Sequence, residues 1–439
     1  MRHRLRDIPE MLRTPVGRVL LRGGVNYRLW PLSSRLARLY RSTVVRNTRV
    51  IAVVGSFGKS TTVRAVSAVV GLQPPAPEFS NAWSSVAAAI LKIAPRQRHA
   101  VVEVGIAAAG EMKGYARTVR PSVTVVTSVG SEHQRSLGSL TVTREEKAWM
   151  VRVLPRSGTA VLNGDDPNVM WMREKTTARV VTFGFGMSCD VRATEFRLDG
   201  LRGTRFRVRA FGAEREVATR LLGRHMVYPA LAAIAVAQLE GFAADETLSR
   251  LADLPPTEGR LQPVLLPNGA ILLRDDFKST LETIHSALDV LAEIPGRRIV
   301  VLGSVSEAPV PQRAVYQALG ERVARMASRF VVVGTSFEAY CSGARRGGMP
   351  SACIIHAGYT PHEAAEALRK IIQPGDVVLL KGRDTQSLDR VRLILEGRRV
   401  GCDIVFCNAR LLACERCRML EQGWGTHRLI MQPSTAEHQ

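Results

Sequence analysis

Acidic side chains are scarce in this chain: 39 Asp and Glu stand against 61 Lys and Arg in 439 residues, a formal charge of +22. Such a field attracts nucleic acid, anionic membrane or polyanionic substrates, and solvated arginine-rich helix faces produce it equally well, so charge alone names no partner. Aromatics are few, at 5%, which argues against a stacking platform for single-stranded nucleic acid. No apolar run reaches the length of a membrane span, and the charged start Met1-Arg-His-Arg-Leu-Arg-Asp7 has no apolar stretch behind it. The expectation is a cytoplasmic, soluble protein. Seven cysteines, an odd number without a secretion signal, exclude a disulfide framework as the basis of the fold. No internal repeat or low-complexity segment stands out.

What is present is enough chain for two or three domains, each with its own core. Val50–Val54 is a β-branched run that reads as a buried strand, Gly55-Ser56-Phe57-Gly58 as a turn, and Lys59-Ser60-Thr61-Thr62 as the opening of a helix. This is a phosphate cradle. Glycines let backbone N–H groups close on an anion, the helix terminus adds its dipole, Lys59 supplies charge and Ser60 a hydroxyl for Mg²⁺. It departs from the general G-x-x-x-x-G-K-[ST] pattern in having Val53 where the first glycine stands. Downstream, the apolar strand His99–Gly105 carries Glu103 near its C-terminal end, where α/β sheets place ligands; Mg²⁺ beside a triphosphate is the simplest partner for such a carboxylate. Val123–Ser128 repeats the arrangement, with His133 in the loop after it. Asn81 lies in a polar loop, and Lys147 reads, by itself, as an exposed lysine of a helix near Val142–Leu154.

Four segments follow from the pattern. Residues 1–48 form a basic segment of two short helices, Thr14–Leu21 and Pro31–Thr43, separated by Gly23-Gly24. Their leucines and valines at helical spacing suit packing on the next domain or lying on an anionic surface. Residues 49–257 form a P-loop central domain with a mostly parallel sheet and antiparallel hairpins between Val180 and Leu222. Residues 258–400 form a smaller Rossmann-like α/β domain, so the fold class is α/β in both. Residues 401–439 form a tail in which Cys402, Cys407, Cys414 and Cys417 are spaced C-x4-C-x6-C-x2-C. That spacing suits structural Zn²⁺ and equally suits uncoordinated packing.

The cradle, Glu103-Val-Gly105, Thr127-Ser-Val-Gly-Ser-Glu-His133, Lys147 and Leu162-Asn-Gly-Asp-Asp166, in this order and spacing, resemble the Mur ligase family over about residues 48–400. Val301–Glu307 and Pro374–Arg383 look most like its D-alanyl-D-alanine-adding branch, whereas Asp276-Phe-Lys278-Ser-Thr280 is similar to the D-glutamate-adding branch. The resemblance implies an ADP-forming acid–amino acid ligase: ATP activates a carboxylate as acyl phosphate, and the amine of an amino acid or peptide attacks it. It implies cofactor contacts from Gly55, Ser56, Phe57, Gly58, Lys59, Ser60, Thr61, Asn81, Arg260 and Asp276, the last at the ribose. It implies one Mg²⁺ on Ser60 and Glu103, and a second helped by His133 and by Lys147 in carbamylated form. Lys59, Lys147, Arg260 (reaching the γ-phosphate on closure) and Lys278 (facing the acyl phosphate) would be catalytic. Asn81-Ala82 and Met226 and Pro229 depart from family asparagines, which puts base recognition through those amides in doubt. The segment before the cradle is too short for the family's UDP-sugar-binding domain, which leaves the acceptor open. A lipid-linked substrate, a glutaminase partner in amidating an envelope precursor, a nucleic-acid-dependent ATPase and a nucleotide-binding module that no longer ligates are the alternatives; nucleic acid is disfavoured because it leaves Lys147, His133 and Arg260 unexplained.

Overall fold

A computed structural model of the protein describes residues 8–76, 81–131, 134–405, 407 and 413–424. Three helices come first: α1 (Ile8–Arg13), α2 (Pro15–Arg28) and α3 (Trp30–Ser42). Sequence reasoning breaks the second at Gly23-Gly24, yet α2 runs straight through the pair. A helical glycine costs only about 1 kcal/mol, and the break falls instead at Leu29, just ahead of Trp30-Pro31, where proline takes an early position of α3.

The chain gathers into two compact units, Asn26–Thr257 and a second formed by Met1–Val25 with Glu258–Gln439. In the central unit α3 leads to β1 (Arg49–Val54), α4 (Lys59–Val69), α5 (Ser84–Leu91), β2 (His99–Glu103), α6 (Met112–Val119), β3 (Val123–Val126), α7 (Gln134–Leu137), α8 (Leu140–Arg152), β4 (Thr159–Asn163), α9 (Pro167–Met170), β5 (Arg179–Gly184), β6 (Val191–Leu198), β7 (Thr204–Ala210), β8 (Ala213–Thr219), α10 (Val227–Leu239) and α11 (Ala244–Ala252). The strands form one sheet in the order β2-β1-β3-β4-β5-β6-β7-β8. It is parallel from β2 to β6 and antiparallel through β7 and β8, so the hairpins expected after Val180 begin only at β6. The turn Phe211-Gly212 closes the last hairpin with both residues at positive φ, the twist that suits a two-residue connection.

β1 is buried along five of its six residues, as befits a strand covered on both faces. One core packs Ile51, Val53, Val66 and the Ala-rich α10 on one side of the sheet. The other packs Val50, Val54, Ile90, Tyr115 and Met150. Alanines dominate α10 because a helix buried nearly all round must let the sheet approach closely.

The second unit carries β9 (Gln262–Leu265), β10 (Ile271–Asp275), α12 (Leu281–Glu293), β11 (Arg298–Leu302), α13 (Gln312–Ala324), β12 (Arg329–Val332), α14 (Phe337–Arg346), β13 (Ile354–His356), α15 (Pro361–Arg369), β14 (Val377–Lys381) and α16 (Asp389–Leu395). The sheet order is β13-β12-β11-β14-β10-β9, parallel except for the edge strand β9. Val16, Cys402, Ile404, Met419 and Trp424 make a small apolar cluster of their own in this unit. No described helix is long and apolar enough to cross a membrane.

Candidate active site

The turn between β1 and α4 is shaped by two glycines at positive φ, one of them with no room for a side chain. Gly55 has φ of 152°, and a Cβ there would lie 1.9 Å from Thr127 Oγ1. Gly58, at φ 79°, is the N-cap of α4. The neighbouring strand end fixes the turn from outside: Ser56 N donates to Ser128 O (2.8 Å), Phe57 N to Ser128 Oγ (2.9 Å), Thr127 Oγ1 to Phe57 O (2.6 Å) and Gly130 N to Ser56 Oγ (2.9 Å). Asn163 Nδ2 in turn donates to Thr127 O at 2.8 Å. Thr61 Oγ1 pairs with Thr257 Oγ1 at 3.1 Å, while Ser60 is half-buried in the first turn of α4.

Two lysines share this turn. Lys59 Nζ donates to Gly55 O at 3.0 Å and Ser56 O at 3.2 Å, and Lys147 Nζ, from α8, donates to the same Gly55 O at 2.9 Å. Lys147 is 1% exposed. Burial first, and then the charge of Lys59, hold its amine well below the ordinary lysine range. The exposed helix lysine expected from sequence is therefore a buried one, because α8 turns this face onto the cradle.

Parallel register pairs Val53 with Glu103, which puts a carboxylate-bearing residue on the strand beside the one feeding the turn. Asn81 Nδ2 donates to Glu103 Oε1 at 2.7 Å, and Gly105 N donates to Asn81 O at 2.7 Å. His133 lies outside the described residues. Asp166 binds Val129 N (2.8 Å) and caps α9 through Asn168 N and Val169 N. Asp165, which sequence reasoning assigned no role, accepts from Phe185 N (2.7 Å), Gly186 N (2.8 Å) and Tyr228 Oη (2.9 Å). Arg224 lies over the Phe185 ring at 3.7 Å, and Phe185 meets Tyr228 edge-on. Its signal in the sequence was the pair of acidic residues after β4, a strand end like that of Glu103.

In the second unit, Arg260 lies over the Phe277 ring at 4.5 Å. Asp276 is 5% exposed and takes Arg274 Nε on both oxygens, at 3.2 and 3.1 Å. Arg274 also faces Glu258 and Asp389. Lys381, fully buried at the end of β14, donates to Asp275 Oδ2 (2.7 Å) and to Lys278 O (2.6 Å); burial lowers its amine and Asp275 opposes the shift. The Lys278 side chain is half-buried.

The cysteine tail takes a different form from a zinc knuckle. Among the described residues no group of three or more His, Cys, Asp or Glu side chains is arranged to hold a metal ion. Cys402, Cys407 and Cys417 pack with Val16, Ile404, Met419 and Trp424. The cation at these sulfurs is Arg390, whose Nε donates to Cys414 Sγ at 3.3 Å and whose Nη1 donates to Ile404 O at 2.8 Å. Burial, then Asp389, push the Cys414 thiol well up, and burial raises Cys417.

The fold and the cradle define an α/β protein of the P-loop nucleotide-binding class. Residues 53–237 match the Mur ligase middle domain, and residues 259–383 match the Mur ligase glutamate ligase domain. The UDP-N-acetylmuramoyl-tripeptide--D-alanyl-D-alanine ligase of Mycobacterium tuberculosis is 31% identical over 370 residues, 78% of this chain and 72% of that protein. That of Escherichia coli is 29% identical over 279 residues, 62% of this chain and 61% of its own. Among solved structures, MurF from Acinetobacter baumannii superposes with a TM-score of 0.74 at 23% identity, covering 84% of this chain and 81% of that one. MurF from Thermotoga maritima, in complex with ADP, gives 0.72 at 21% identity, covering 84% and 83%. The chain belongs to the Mur ligase family. It is an ATP-dependent ligase that forms a carbon–nitrogen bond between a carboxylate and an amine.

Proposed function

We propose that this ligase joins the terminal carboxylate of a muramoyl-peptide precursor to the amine of D-alanyl-D-alanine, the reaction named for its relatives at 31% and 29% identity. The observation that carries the assignment of the catalytic centre is the pair Lys59 and Lys147 on one backbone carbonyl. Both chains are buried, so they serve chemistry rather than solubility.

Lys59 neutralises the outer phosphates of ATP as the acceptor carboxylate attacks the γ-phosphorus and ADP leaves. Lys147, whose amine burial and the charge of Lys59 hold well below the ordinary lysine range, is a nucleophile for carbon dioxide in its neutral form: an N–C bond forms as a C=O π bond opens, the nitrogen loses a proton, and the side chain becomes a carboxylate-like ligand. The donor set beside the cradle fits Mg²⁺, because Ser60 offers a hydroxyl and Glu103 a carboxylate kept in place by Asn81. Bound there, the ion would screen the crowded anions of triphosphate and attacking carboxylate. The family pattern gives Arg260 to the γ-phosphate, Asp276 to the ribose and Lys278 to the acyl phosphate. The incoming amine then attacks the activated carbonyl, and phosphate departs.

The test is turnover of ATP with Mg²⁺, bicarbonate, UDP-N-acetylmuramoyl-tripeptide and D-alanyl-D-alanine, read by phosphate release and product mass. Wild type is expected to form the amide with equimolar phosphate, and Lys59→Ala and Lys147→Ala to lose at least a hundredfold in kcat. Phosphate release without amide, or an amide formed only with another amine, overturns the substrate assignment. Full activity of Lys147→Ala overturns the carbamate.

A further inference from the structure

The helix α3 presents its leucines to the outside. Leu29, at its N-cap, and Leu32, Leu36 and Leu39 are 51%, 55%, 52% and 61% exposed, whereas Ser34, Ala37 and Arg41 are buried. At about 100° per residue, Leu32, Leu36 and Leu39 fall within roughly 60° of one another, and the buried trio lies on the opposite side. A helix on the surface of a water-soluble body carries the reverse pattern.

The orientation is fixed. Arg41, its guanidinium buried, donates to Val119 O (3.1 Å), Val45 O (2.6 Å) and Arg120 O (3.0 Å). Arg38 Nε donates to Thr118 Oγ1 at 3.1 Å, and Tyr40 Oη to Ile93 O at 2.7 Å. The polar anchors hold the small-residue face against the central unit, so the leucine face is a rigid part of that unit.

The chain that carries the stripe bears charge of one sign. No Asp or Glu occurs between Glu10 and Glu78. Arg28 and Arg35 are exposed beside the leucines, and Arg46 and Lys92 are exposed nearby in the chain and on the helix packed against α3.

From this we infer that α3 docks the enzyme on an anionic lipid bilayer, lying in the headgroup layer with its leucines at the acyl boundary and Arg28 and Arg35 on lipid phosphates. A row of leucines gains nothing from a phosphodiester backbone, whereas a bilayer supplies an apolar layer directly beneath a layer of negative charge. The helix rests on the membrane and does not span it. Docking is independent of catalysis.

The experiment is cosedimentation of the full chain with vesicles of phosphatidylglycerol and phosphatidylcholine, against phosphatidylcholine alone, at low salt. Leu32→Ser/Leu36→Ser/Leu39→Ser keeps every charge and alters only exposed side chains; thermal melts check its fold. Binding to anionic vesicles is expected to fall at least tenfold for it. Arg28→Gln/Arg35→Gln should lose about fivefold per charge, and the remote basic pair Arg209→Gln/Arg220→Gln less than twofold. No sedimentation with anionic vesicles overturns the inference, as does a leucine variant that binds like wild type. A dimer of the wild type that the leucine variant dissolves assigns the face to a second copy, and leucine-dependent binding to duplex DNA assigns it to nucleic acid; either overturns it.

Discussion

Replacing Lys147 by methionine should stabilise the protein while abolishing its activity. The side chain is 1% exposed, and its single described hydrogen bond, 2.9 Å to Gly55 O, contributes about 1–2 kcal/mol. Against this stands the cost of an amine buried beside Lys59, several kcal/mol when charged. Methionine fills a similar volume without either, so the net expectation is a gain of about 2 kcal/mol near neutral pH. For a unit of this size that raises the unfolding midpoint by about 4–8 °C. The pH dependence carries the sign. The folded amine titrates well below 10.5, the unfolded one near it, so between these values the unfolded state holds the extra proton and wild-type stability rises with pH. The penalty is full below the folded value and gone above 10.5. The advantage of Lys147→Met should therefore shrink by up to about 1.4 kcal/mol per pH unit on the way up. Bicarbonate should stabilise wild type and leave the variant unchanged, since a carbamate forms only on the folded, neutral amine. Calorimetry of both proteins between about pH 6 and pH 10 decides it. A variant that melts below wild type throughout, or a gap indifferent to pH, refutes the buried neutral amine.

Gly55→Ala should abolish ATP binding in calorimetric titration, since its Cβ would strike Thr127 Oγ1 at 1.9 Å, whereas Gly58→Ala, with nothing within 4 Å, should cost only about 1–2 kcal/mol of backbone strain. Asn81→Ala frees the Glu103 carboxylate and should raise the Mg²⁺ concentration for half-maximal turnover by about tenfold, with kcat at saturating metal preserved. Arg274→Met leaves Asp276 buried without its partner and should destabilise the C-terminal unit by about 3–5 kcal/mol in urea unfolding; adding Asp276→Asn should recover part of that loss.

The cradle was legible because its chemistry is local: two glycines, a lysine and a β-branched run lie within a dozen residues, and no long-range contact is needed to recognise them. Glu103 was legible for a related reason, as a carboxylate at a strand end has few neutral explanations. Lys147 was not legible from its own helix. Its Trp- and Met-flanked turn reads as an ordinary amphipathic surface, and only the packing of α8 on β1 takes the amine out of water. The hydrogen bond from Asn81 to Glu103 and the hold of Arg274 on Asp276 likewise appear only when strands are aligned.

The two ends of the chain show where pattern reading leaves the outcome open. In α3 the leucines are the natural candidates for burial, yet Ser34 and Ala37 face inward. Small side chains let the helix lie close on α5 and α6, and the buried Arg41 recovers on four backbone carbonyls what the leucines would have contributed by burial. In the tail the cysteine spacing suggests a metal, but a guanidinium already stands at the sulfurs. Arg390 is 1% exposed and draws Cys402 O, Ile404 O and Cys414 Sγ around itself. A cation carried on α16 thus organises this segment, and the same burial that makes the arginine necessary pushes the Cys414 thiol up.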